Sequence, residues 1–93
     1  MTFPAPAPLT RQAVADQLLA YLRHEMSLAE LVAWCEAAAF EAPLAPGTED
    51  VLMPVLLRLG VADVEAFSPS WEEWEGLMRQ LGYRLHVVAQ QAA

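Results

Sequence analysis

Two Ser-x-x-Glu segments, Ser27-Leu28-Ala29-Glu30 and Ser70-Trp71-Glu72-Glu73, constrain this chain more than any other feature. In a capping box the Ser side chain accepts from the amide three residues on, and the Glu carboxylate reaches back to the Ser amide, so each segment opens a helix. Behind the first, Leu28, Leu31, Val32, Cys35, Ala38 and Ala39 fall on one face, with Trp34 near its edge and the pattern fading over 37–40. Behind the second, Trp71, Trp74, Leu77, Met78 and Leu81 share a face, while Glu72, Glu73, Glu75, Arg79 and Gln80 take the other. Glu75 and Arg79 stand in the favourable i, i+4 order, and Gly82 is the expected stop, so this helix should cover about 71–81.

Two further helices follow from weaker signals. Thr10 is a plausible N-cap for a helix over 11–24, in which Val14, Leu18, Tyr21 and Leu22 form the buried stripe and Arg23 and His24 lie at the dipole's negative end. The 43–47 segment, Pro-Leu-Ala-Pro-Gly, is the clearest break and reads as a loop between helices. Thr48 then caps a helix over 49–59, with Glu49 and Asp50 in its first turn and Gly60 as the residue just past its end. Pro54 removes the bond to the Asp50 carbonyl, so that helix either bends or starts late. Apolar nearly all round, it should be central in the fold or lie against a second chain.

Two stretches read differently. Val64 to Phe67 fits either a helical turn or a short strand, whereas Tyr83, Leu85 and Val87 alternate with polar neighbours and signal a strand over 83–88. A lone strand cannot satisfy its own backbone, so its partner should be 64–67, in a minimal βαβ unit, or the same strand of another chain. The alternating prolines of 1–8 favour an extended tail. The expected architecture is mostly α: a small bundle of about four helices with one or two short C-terminal strands. It forms a single domain over 10–93 behind an extended Pro-rich tail over 1–9. At 93 residues and 56% apolar, the chain is long enough for one core and no more.

Charge narrows the partners. Between Glu25 and Glu75 stand eleven acidic residues and one base, Arg58, a net of −10; the flanks carry +3, and the total is −7. Nucleic-acid binding needs a basic footprint, which this field opposes, and a basic partner protein is the natural counterpart. The plainer alternative is that the acids keep an apolar domain in solution. One cysteine excludes an internal disulfide, the N-terminus lacks a signal-peptide pattern, and no apolar run is long enough for a membrane span. A cytoplasmic location is expected. The absence of Lys, Asn and Ile points to a GC-rich bacterial genome.

No constellation calls for catalysis. Cys35 sits mid-helix on the apolar face next to Glu36, the setting of a small buried hydrophobe rather than a thiolate. His24-Glu25 opens like a metalloprotease helix, but Leu28 stands where the second His belongs. Glu72 and Glu73 are adjacent and diverge on a helix. No catalytic residue, cofactor or metal is expected. The candidate partner surface is Glu30, Trp34, Glu41, Glu72 and Glu73, with Trp34 as a semi-exposed aromatic anchor among acids.

The function expected is a small acidic, non-catalytic interaction or regulatory module that binds a basic protein. In size and charge it has the profile of small antitoxins, immunity proteins and inhibitors of nucleic-acid-binding enzymes, without a motif that identifies a family. The alternative is a self-associating structural domain, a homodimer through the third helix or the 83–88 strand. A small enzyme or metal-binding protein using Glu, His or Cys comes third.

Overall fold

The computed structural model describes residues 8–89 and 91. Four helices form in chain order: α1 (Arg11–Leu22), α2 (Leu28–Glu41), α3 (Glu49–Leu59) and α4 (Trp71–Gln80). The protein is thus mostly helical, as the two Ser-x-x-Glu segments require.

The first capping box forms in full. The Glu30 amide donates to Ser27 Oγ at 3.1 Å, and the Ser27 amide donates to Glu30 Oε1 at 3.4 Å. Thr10 caps α1 by accepting from the Ala13 amide at 3.1 Å. The second box is only half made. The Glu73 amide donates to Ser70 Oγ at 3.2 Å, but the Glu73 carboxylate does not return to Ser70 and turns instead towards Arg58 on α3.

Helix ends depart from expectation in three places. The first helix stops at Leu22, and His24 adopts a left-handed conformation with φ of 62°. The His24 and Glu25 amides then donate to the Tyr21 and Ala20 carbonyls at 3.0 and 2.8 Å, the Schellman pattern usually built on Gly. Thr48 does not cap α3 with its side chain: its hydroxyl donates backwards to the Ala45 carbonyl at 2.6 Å. That contact tightens an Ala45-Pro46-Gly47-Thr48 turn of type II, in which Gly47 supplies the positive φ of 79°. Gly60 is not a left-handed stop either; at φ −62° it continues right-handed into the turns that follow. Pro54 lies inside α3, on its exposed side, so the helix neither starts at it nor ends there.

The expected C-terminal strands do not form: among the described residues there is no strand. Glu65–Phe67 is a single turn of 3₁₀ helix, because the Phe67 and Ser68 amides find the Val64 and Glu65 carbonyls within their own turn. Coiled in this way, the segment does not present the extended edge that a neighbouring strand needs. At the other end, Gly82, at φ 94°, closes α4, and the Tyr83 amide donates back to Met78 at 2.9 Å. Residues 83–89 then run on without regular structure, and of the alternating side chains Leu85 packs against the core while Val87 is 74% exposed.

One core joins all four helices. Val14 and Leu18 of α1, Leu31 and Cys35 of α2, Leu52, Val55, Leu56 and Leu59 of α3, and Trp74, Leu77 and Met78 of α4 are buried together. Helix α3 is central, packed against both α2 and α4, as its all-round apolar composition requires. Each fully buried Leu or Val there contributes on the order of 1.5–3 kcal/mol. The Tyr21 and Trp74 rings lie 5.2 Å apart at 37°, tying α1 to α4. Trp71, expected on the same inner stripe as Trp74, is instead 42% exposed at the first position of α4.

A further link closes the α1–α2 pair. Leu9 forms a parallel bridge with Leu44: its amide donates to Pro43 at 2.7 Å and its carbonyl accepts from Ala45 at 2.9 Å. Of the tail expected over 1–9, residues 1–7 lie outside the described residues, Pro8 is exposed and Leu9 is buried in the core.

Candidate functional site

Glu30, Trp34, Ala37 and Glu41 follow one another along α2 at i, i+4, i+7 and i+11, which places them on a single stripe of the helix. Ala37, Ala38 and Ala42 leave little side-chain bulk beside Trp34, and the result is an open, mostly apolar groove of about 380 Å³. Its lining is Trp34, Ala37, Ala38, Glu41 and Ala42 of α2 and its cap, with Leu9 as the facing wall. Leu9 is held there by its bridge to Leu44. Trp34 is half-buried, its indole packed against the core on one side.

Of the five residues expected to form a partner surface, the groove brings together Trp34 and Glu41. Glu30 lies one turn before Trp34 on the same stripe but does not line the groove, and its carboxylate serves the α2 cap. Glu72 and Glu73 lie elsewhere, in the first turn of α4, no residue of which lines this groove. Glu73 accepts from Arg58 Nε at 3.1 Å and from Nη2 at 2.7 Å. Arg58 is the one base between positions 25 and 75, so its pairing leaves the acids along α2 without a cation from that segment to offset them.

Leu9 was not among the expected site residues, although the sequence carries a signal for it. It precedes the Thr10 N-cap, the position from which a hydrophobic residue staples onto the fourth residue of a helix, here Val14. Both are in the core.

The reactive candidates lie outside the groove. Cys35 is fully buried beneath α2, and burial pushes its thiol up to about 12. At neutral pH it is a protonated, inaccessible side chain. His24 forms the left-handed end of α1. Among the described residues, no three His, Cys, Asp or Glu side chains come close enough to hold a metal ion, and no helix is long and apolar enough to cross a membrane.

Comparison with protein-family models, with curated proteins and with solved structures finds no match to this chain. The functional reading therefore rests on the chemistry of the groove.

Proposed function

We propose that this chain is a non-catalytic interaction module that binds a basic protein at the Trp34 groove. The observation that carries the reading is one groove holding a half-buried indole, small alanines and a carboxylate, Glu41, with Glu30 on the same stripe. Aromatic anchors at the edge of a core are what protein interfaces use, and rim carboxylates steer and orient a cationic partner. A net charge of −7 favours a protein over a nucleic acid as the occupant.

The test is affinity capture with the full chain, run in parallel with Trp34→Ala and Glu41→Gln. A basic protein retained by the unmodified chain, released by salt and lost with Trp34→Ala supports the reading. Capture that is indifferent to both salt and Trp34 removes it.

A second reading, self-association through the C-terminal segment, is favoured by Val87 and Val88, 74% and 78% exposed on a backbone outside any sheet. Sedimentation at high protein concentration separates the two: a dimer dispersed by Leu85→Pro supports self-association, and a monomer excludes it.

A further inference from the structure

The flank of α2 opposite Trp34 carries a second apolar groove, of about 180 Å³, between the C-terminal halves of α2 and α3. Ala39 and Gly60 keep its floor low, Phe40, Leu57 and Val61 form its walls, and Glu36 is its charged edge. The wall residues are 84%, 56% and 40% exposed. Single exposed apolar side chains need no explanation, but three that converge on one trough mark a surface that is covered in use. The volume admits one large apolar side chain.

We infer that this groove docks a partner segment in which a large apolar side chain is flanked by Lys or Arg. The apolar side chain seats between Phe40 and Leu57, and the cation meets Glu36. Charge selects this occupant. Glu36 has no ion-pair partner among the described residues, and Asp63 and Glu65 follow Val61 in the chain. A second copy of this chain fits poorly, because a two-fold contact brings the same patch to itself, with Glu36 on both sides and no base in either lining, between two bodies of charge −7. The groove lies on the far flank of α2 from Trp34, so this inference stands apart from the binding proposed there.

The experiment follows backbone amide shifts of the full chain during titration with an amphipathic peptide of about four helical turns built from Leu and Lys. Expected are shifts centred on Ala39, Phe40, Leu57, Gly60 and Val61. Phe40→Ser and Leu57→Ser should each weaken binding about tenfold, the loss of one interface anchor. Salt raised from about 0.05 to 0.5 M should weaken binding of the unmodified chain and have less effect on Glu36→Gln. Asp16→Asn, an equal change of charge at an exposed position of α1, should bind as the unmodified chain does. Phe40 is exposed enough for its replacement to leave the helical circular dichroism unchanged, which separates lost docking from lost folding. The inference is overturned by no binding, by shifts confined to the Trp34 flank, or by equal binding of a peptide with Glu in place of Lys. A dimer dispersed by Phe40→Ser would overturn it too, by showing that a second copy is the occupant.

Discussion

Arg58 on α3 and Glu73 on α4 meet through a single carboxylate oxygen, Oε2, which accepts from both Nε at 3.1 Å and Nη2 at 2.7 Å. The same carboxylate is the one that a complete capping box would send back to Ser70. A tertiary contact has taken it. The two side chains remain 28% and 47% exposed, so water and salt screen the pair. Glu73→Gln should cost no more than about 1 kcal/mol, and the loss should shrink at high salt. Arg58→Ala should cost more than Glu73→Gln, because the half-buried stem loses packing as well as charge. A double-mutant cycle by urea denaturation, at low and high salt, isolates the pair.

The two Ser caps differ in completeness, and stability should register the difference. Removal of a cap hydroxyl costs about 0.5–2 kcal/mol. Each Ser→Ala change removes one bond, that from the Glu30 or Glu73 amide, but the Ser27 amide also donates to the Glu30 carboxylate, a return bond that Ser70 lacks. Ser27→Ala and Ser70→Ala should cost alike within that range, and Ser27→Ala combined with Glu30→Ala, which strips both bonds of the complete box, should cost more than either. At about 4–8 °C per kcal/mol for a chain of this size, thermal unfolding resolves them.

Two glycines of the C-terminal region should respond in opposite directions to alanine. Gly82 sits at φ 94°, where a Cβ is strained, so Gly82→Ala should destabilise by about 1–2 kcal/mol. Gly76 lies inside α4, and a Cβ there would meet nothing within 4 Å. Gly76→Ala should therefore stabilise by up to about 1 kcal/mol, the helix-propensity difference. Denaturation midpoints of the two variants against the unmodified chain decide the signs.

Cys35 should impose an alkaline limit on the fold. Its thiol titrates at 9.0 when unperturbed and is pushed up to about 12 by burial, so the unfolded chain releases the proton first. The contribution is complete below pH 9 and is lost as pH rises from 9 towards 12. The slope over that window approaches about 1.4 kcal/mol per pH unit. Cys35→Ala should cost about 1 kcal/mol at pH 7, from the small cavity it leaves, and should flatten the alkaline decline. A pH series of denaturation curves for both proteins tests it; parallel declines would acquit the thiol. At neutral pH Cys35 should also resist thiol reagents until the chain is unfolded.

What was legible in the sequence is what local chemistry decides. The starts of α1, α2 and α4 followed from Thr10, Ser27 and Ser70, and the bounds of α3 matched the expected 49–59. Trp34 and Glu41 share one groove because they ride on a helix whose register the cap had set. What failed depended on partners distant in the chain. The alternation at 83–88 is a genuine strand pattern, but a strand exists only with a second edge, and the 64–67 segment coils into a helical turn instead. Trp71 shares a helical-wheel sector with Trp74, yet it lies at the first position of α4, where it is left partly in solvent. The second groove was invisible for a related reason. Its walls come from two helices, and only their packing brings Phe40 beside Leu57.

The bridge at Leu9 bears on the shape of the Trp34 groove. One wall of the Trp34 groove belongs to a residue that arrives there from before α1 and is fastened by two hydrogen bonds to 43–45. The groove is consequently not a property of α2 by itself. It keeps its facing wall only while Leu9 stays clasped to the loop after α2, so whatever loosens that clasp opens the groove on that side.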